Sequence, residues 1–213
     1  MARKDRQAAP RAKNIYLTGF MCAGKTSAGR ALSRALGLPF RDSDELIEKE
    51  AGRTVAELVR SKGLARFRSL EAAQVRKLAS SGGRVIALGG GVYPSRRWKG
   101  LLEATGVSVF LFCPWPELRA RLRRASGPRP LLSGPPGRAL ARARSLYAKR
   151  LPFYRQADVT VDAAGLAPAE AAARIKKALA RNRFVLLRAP GRSEAAENLE
   201  PPLLKEVFLG ALE

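Results

Sequence analysis

The sequence predicts an α/β fold, a parallel sheet covered by helices on both faces. Two observations predict it. Short apolar, β-branched runs recur along the chain with helical patterns between them, the alternation that parallel strands joined by crossover helices produce. The first of these runs, Asn14-Ile15-Tyr16-Leu17-Thr18, leads directly into Gly19-Phe20-Met21-Cys22-Ala23-Gly24-Lys25-Thr26, which fits G-x-x-x-x-G-K-[ST] without substitution.

The first strand, residues 14–18, is apolar enough to be buried on both faces. A helix follows over 27–36, where Ala28, Ala31, Leu32, Ala35 and Leu36 recur at helical spacing. Residues 38–42 read as a second, short strand ending in acid. Helices come next over 45–50, over 55–61 with Thr54 as N-cap, and over 65–80. Ser81-Gly82-Gly83 breaks the pattern, residues 84–88 form the third strand, and Gly89-Gly90-Gly91 terminates it. The fourth strand covers 107–112 and the fifth 159–161, with helices over 117–124, 138–155 and 169–180. Right-handed crossovers then bring the loops after the strands to one edge of the sheet. Gly19–Thr26, Asp42–Asp44 and Gly89–Gly91 would line one cleft.

Three stretches fall outside this pattern. Residues 1–13 are basic with no apolar segment, and read as a disordered leader. Residues 125–137, Ser126-Gly127-Pro128-Arg129-Pro130-Leu131-Leu132 among them, are too rich in Pro and Gly for regular structure and suit a mobile lid between two helices. Residues 181–213 form an extension with a short amphipathic piece over 203–212 and no legible chemistry. The domain proper is expected over 14–180.

The glycine loop carries the strongest chemical signal. A strand, such a loop and a helix in that order turn successive backbone N–H groups inward, and the helix N-terminus adds partial positive charge. Gly19, Cys22, Ala23, Gly24, Lys25, Thr26 and Ser27 would therefore hold the phosphates of a nucleoside triphosphate. Lys25 would reach the β- and γ-phosphates, and the Thr26 hydroxyl a Mg²⁺ ion.

Composition narrows the alternatives. With no histidine in the chain, imidazole acid–base or metal chemistry is excluded. The two cysteines, Cys22 and Cys113, provide no disulfide framework and suit a reducing cytoplasm. No apolar stretch approaches the roughly 20 residues of a membrane span. The net charge of +22 is spread along the helices without interleaved aromatics. That distribution suits a field for anionic substrates better than a nucleic-acid surface.

Further residues gather weaker signals. Asp42-Ser43-Asp44 places two carboxylates at a strand end, one to face a metal and the other an acceptor hydroxyl, although a helix N-cap beginning at Asp44 explains the pattern equally well. Arg68 and Glu71 are three apart, as an arginine oriented to capture a carboxylate requires, or as a surface ion pair. Gly89–Gly91 permits close approach of backbone to a ligand, or a tight turn. Arg129, in the expected lid, would bring a cation onto either the γ-phosphate or the acceptor as the lid closes. Arg150 lies near a helix end, where it also complements the helix dipole.

The order of these motifs, G-x-x-x-x-G-K-T, D-S-D, F-R-x-x-E, G-G-G, R-P-L-L and R-x-x-x-Y-x-x-x-A at Arg150, Tyr154 and Ala157, resembles the shikimate kinase family from about residue 14 to 180. The resemblance implies a P-loop fold of the nucleoside-monophosphate-kinase type, with a five-stranded parallel sheet and a closing lid. It implies transfer of the γ-phosphoryl group of ATP to the 3-hydroxyl of shikimate, with Mg²⁺, by a monomer. Lys25, Asp42, Asp44 and Arg129 match the family's catalytic residues, with Thr26 and Asp42 at the metal and Arg129 also on the nucleotide. Asp44, Arg68, Gly89, Gly90, Gly91 and Arg150 match those that hold shikimate, and Arg121 or Arg124 would flank adenine. Leu64 stands where the family has an acid after the glycine, and Val59 where it often has an aromatic. Two other readings keep the fold: a kinase for another hydroxylated acceptor such as gluconate, or a non-catalytic ligand sensor.

Overall fold

The computed structural model describes residues 13–93, 96–125 and 136–182. The lid motif with Arg129, residues 1–12 of the leader and the extension beyond Asn182 lie outside the described residues. The elements run β1 (Asn14–Thr18), α1 (Lys25–Leu36), β2 (Phe40–Asp42), α2 (Ser43–Ala51), α3 (Val55–Ala79), β3 (Val85–Ala87), α4 (Arg96–Thr105), β4 (Gly106–Phe112), α5 (Trp115–Arg124), α6 (Pro136–Tyr154), β5 (Val159–Asp162) and α7 (Pro168–Arg181).

Five strands form one sheet in the order β2-β3-β1-β4-β5. Every pairing is parallel, with Ile15 opposite Val85 on one side and Val107 on the other. The chain leaves β1 toward β2 and β3, then crosses to β4. The strand order therefore reverses around β1, the point where ligands bind beyond the carboxyl ends of such sheets.

Each face of the sheet buries its own layer. Ile15, Leu17, Val107, Val109 and Leu111 pack with Ala28 and Leu32 of α1 and Ile175 and Leu179 of α7. Tyr16, Ile86 and Leu88 pack with Val75 and Leu78 of α3 and Trp98 and Leu102 of α4. Burial on both faces explains why the strands read as unbroken apolar runs.

Local chemistry sets the helix ends. Thr54 and Glu57 close a reciprocal capping box at the start of α3. Gly63, at φ 79° and ψ 162°, interrupts α3, which accounts for the two helices expected over 55–61 and 65–80. Asp42 caps α2, a correction to the expected cap at Asp44, which is the second residue of the helix. Helix α4 has no counterpart in the sequence reading, because it runs into β4 with no Gly/Pro break other than Gly106 itself. Among the described residues no helix is long and apolar enough to cross a membrane.

Candidate active site

The phosphate loop follows β1 in a conformation that ordinary residues resist: φ is 141° at Gly19, 62° at Cys22 and 96° at Gly24. A Cβ on Gly19 would lie 2.8 Å from the Leu111 carbonyl, so β4 itself requires glycine there. Lys25 donates to the carbonyls of Gly19 (2.9 Å) and Phe20 (3.1 Å). Burial lowers the pKa of its ammonium, and the carboxylates of Asp44 and Asp42 oppose that shift. Cys22, Gly24, Lys25, Thr26, Ser27 and Arg30 line a cavity of about 390 Å³. Arg121, expected with Arg124 as an alternative beside adenine, reaches the loop from α5. Its Nη1 donates to the carbonyls of Cys22 (3.3 Å) and Ala23 (3.4 Å), Nη2 to that of Ala163 (3.2 Å), and Nε to Glu117 (2.9 Å).

The two carboxylates after β2 take different places. Asp42 Oδ1 accepts from the backbone N–H groups of Asp44 (3.0 Å) and Glu45 (3.4 Å), while Oδ2 accepts from the Thr26 hydroxyl at 2.7 Å. Capping and loop contact are thus made by one side chain. Thr26 and Asp42 together offer a hydroxyl and a carboxylate, the hard oxygen donors that Mg²⁺ takes from protein before filling its sphere with water and phosphate. Between Asp42 and Asp44, the buried Ser43 hydroxyl accepts from Gly89 N–H at 2.8 Å and ties β3's end to α2.

Asp44 faces the other way. Its Oδ1 is buried and has no hydrogen-bond partner among the described residues. Burial, then the Asp42 charge, pushes its pKa up to about 6, against the pull of Lys25. A Cβ on Gly89 would lie 2.6 Å from that oxygen and 3.0 Å from Glu71 Oε1.

Arg68 and Arg150 meet at the glycine turn. Arg68 Nη1 lies 2.5 Å from Glu71 Oε2, and the glutamate side chain is 5% exposed against 39% for the arginine. A buried anion therefore holds a partly exposed cation, which a surface ion pair would not do. A Cβ on Gly91 would overlap the Arg68 guanidinium, and one on Gly90 would lie 3.5 Å from Arg150 Nη1. The Tyr154 hydroxyl donates to the Gly90 carbonyl at 2.6 Å, and Arg150 hydrogen-bonds the same phenol. Burial pushes the phenol pKa to about 12, so it stays protonated and donating. Tyr154 entered the sequence reading only as a motif member. Its i,i+4 spacing from Arg150 was the available signal.

Asp44, Arg150 and Arg68 thus gather along one glycine turn, at Gly89, Gly90 and Gly91, and the charges of both Asp44 and Arg150 act on Lys25. The family model for shikimate kinase matches residues 21–180. The chain belongs to the shikimate kinase family. Relatives named shikimate kinase include one from Symbiobacterium thermophilum, 44% identical over 146 residues covering 68% of this chain and 82% of that protein. Another, from Gloeobacter violaceus, is 41% identical over 158 residues, covering 74% and 88%. The crystal structure of shikimate kinase from Aquifex aeolicus superposes with a TM-score of 0.69 at 34% identity, covering 79% of this chain and 97% of that one. Shikimate kinase from Acinetobacter baumannii, solved in complex with shikimate, gives 0.74 at 32% identity, covering 81% and 96%. A gluconokinase from Sinorhizobium meliloti, at 21% identity and 0.53, shares the fold. This chain is thus a phosphotransferase of the shikimate kinase family on a nucleoside-monophosphate-kinase type P-loop fold.

Proposed function

We propose that this kinase transfers the γ-phosphoryl group of ATP to the 3-hydroxyl of shikimate, giving shikimate 3-phosphate and ADP. One observation carries the reading: Asp44, a carboxylate with a buried, unpartnered oxygen, feels the Lys25 charge and lies against Gly89, in the same glycine turn that meets Arg150 at Gly90 and Arg68 at Gly91. A small acid with a hydroxyl at one end and a carboxylate at the other fits that series of charges.

The roles follow from the positions. Arg68, braced by Glu71, and Arg150, braced by Tyr154, take the acceptor carboxylate through forked, charge-assisted hydrogen bonds. The turn at Gly89–Gly91 supplies backbone contact where side chains would collide. Asp44 accepts the hydrogen of the attacking hydroxyl and takes the proton as that oxygen bonds to phosphorus. The bond from phosphorus to the ADP oxygen breaks, and Lys25 offsets charge on the β- and γ-phosphates. Thr26 and Asp42 would hold Mg²⁺, which would neutralise phosphate charge when bound. By the family resemblance, Arg129 would add a further cation. Fixed charges and positioning then supply most of the rate enhancement.

A coupled assay of ADP release tests this directly. Release that depends on shikimate, with gluconate, quinate and nucleoside monophosphates far weaker, supports the reading. Equal or greater activity with gluconate assigns the other acceptor, and no release with any of them assigns a ligand sensor.

A further inference from the structure

Between α2 and α3 lies a second cavity, a groove of about 770 Å³, separate from the site above. Ile47, Leu58 and Leu70 give it an apolar floor, and Arg53, Lys62 and Arg66 stand exposed along it. None of these three cations is in an ion pair among the described residues, whereas the groove's carboxylate, Glu50, is held by Lys77 at 2.8 Å. Leu64, the large hydrophobic side chain most exposed among the described residues at 55%, stands between Lys62 and Arg66 just after the Gly63 break. An apolar floor beside unpaired cations favours an amphipathic anion.

The chain carries such a segment. Residues 194–213 contain Glu194, Glu197, Glu200, Glu206 and Glu213 against the single cation Lys205, in a protein whose net charge is +22. Leu204, Val207, Phe208 and Leu212 recur at the spacing of one helical stripe. Reach is sufficient: from Asn182 to Leu203 the chain can extend about 70 Å, against a domain about 40 Å across.

We propose that residues 194–213 dock in cis in the α2–α3 groove, the apolar stripe of 204–212 on Ile47, Leu58 and Leu70 and the preceding Glu194, Glu197 and Glu200 toward Arg53, Lys62 and Arg66. Tethering raises the local concentration of the segment to about the millimolar range, so weak contacts suffice. The groove's walls are the helices of the acceptor site. Ile47 follows Asp44 by one turn, and Leu70 lies between Arg68 and Glu71. Docking therefore adjusts how these helices present the acceptor groups, whichever acceptor the enzyme uses.

Hydrogen exchange on the full chain, without nucleotide or acceptor, tests the docking. Amides of 203–213 should exchange at least about tenfold more slowly than an unstructured peptide, independently of protein concentration. Lys62→Glu with Arg66→Glu, and separately Phe208→Ser, should each remove that protection while β1 and β4 stay protected. Free exchange in the unmodified protein overturns the proposal. So does protection that survives all these substitutions, or that is lost on dilution, which assigns the groove to a second copy. Should the double variant lose protection in β1, Phe208→Ser decides alone.

Discussion

The Tyr154 hydroxyl is the fixed point between Gly90 and Arg150, donating to the glycine carbonyl at 2.6 Å while accepting the guanidinium. Its ring stacks on Phe110 of β4, centroids 5.4 Å apart, so the phenol inherits the rigidity of the central sheet. One side chain thereby sets both the backbone and the cation on that side of the acceptor site.

Tyr154→Phe keeps the ring stack and removes both hydrogen bonds. A typical net hydrogen bond is worth about 1 kcal/mol, so the acceptor KM should rise on the order of five- to tenfold. KM for ATP should not move, because the phosphate loop is untouched. Steady-state kinetics with each substrate varied in turn check this. A parallel rise in both constants would mean general loosening of the fold.

Asp44 links pH to both turnover and stability. As the carboxylate that accepts the hydroxyl proton, with a pKa of about 6, it should make kcat/KM fall about tenfold per pH unit below 6. Asp44→Asn should abolish that limb together with most of the activity.

The same shift has the opposite sign for stability. The folded-state pKa lies above the ordinary value of 3.8, so the folded protein binds the proton more tightly than the unfolded chain. Relative to neutral pH, that stabilisation is complete below about 3.8 and is lost as pH rises through 6. Asp44→Asn should therefore raise the unfolding free energy at pH 8 by about 3 kcal/mol, with a higher Tm, and leave both nearly unchanged at pH 3.5. Calorimetry at the two values decides. An equal change at both would mean that the effect is packing and not charge.

The parts of this picture that were legible in sequence are those encoded by local pattern. The phosphate loop carries its own constraints in Gly19, Gly24, Lys25 and Thr26, and strands buried on both faces read as apolar runs without tertiary information. The division of α3 was legible because Gly63 punctuates it. What escaped depends on contacts far apart in the chain. Residue pattern alone leaves Asp42 and Asp44 equivalent, and only the family resemblance assigned them different roles. They differ because Thr26, sixteen residues earlier, meets one of them, while burial isolates the other. Glu71 reads as a surface partner until α3 packs on the sheet and closes over it. Helix α4 escaped for a different reason, its short apolar stripe being contiguous with β4.

Arg121 makes a bridge of comparable length, from α5 to the Cys22 and Ala23 carbonyls and the Ala163 carbonyl after β5. The loop it braces is held at positive φ in three places. Arg121→Ala should raise KM for ATP by about tenfold and leave the acceptor KM unchanged. Arg121→Lys should fail to restore it, because one ammonium cannot span the three carbonyls that a planar fork reaches. Nucleotide titrations of both variants check this. A lysine variant equal to the unmodified enzyme would reduce the role to charge alone.

Gly91 tests the acceptor arginine without touching it. A Cβ there overlaps the Arg68 guanidinium, the far end of a flexible side chain, so Arg68 can swing aside with the backbone unmoved. Gly91 is not among the residues at positive φ, and alanine is conformationally acceptable. Gly91→Ala should therefore fold normally and displace Arg68 from Glu71. Charge-assisted hydrogen bonds are worth about 1.5–3 kcal/mol, so the acceptor KM should rise on the order of ten- to a hundredfold with KM for ATP unchanged. Arg68→Lys should produce a similar defect, and combining the two should add little, since both remove the same forked contact. Fully additive effects would place the influence of Gly91 elsewhere than on Arg68.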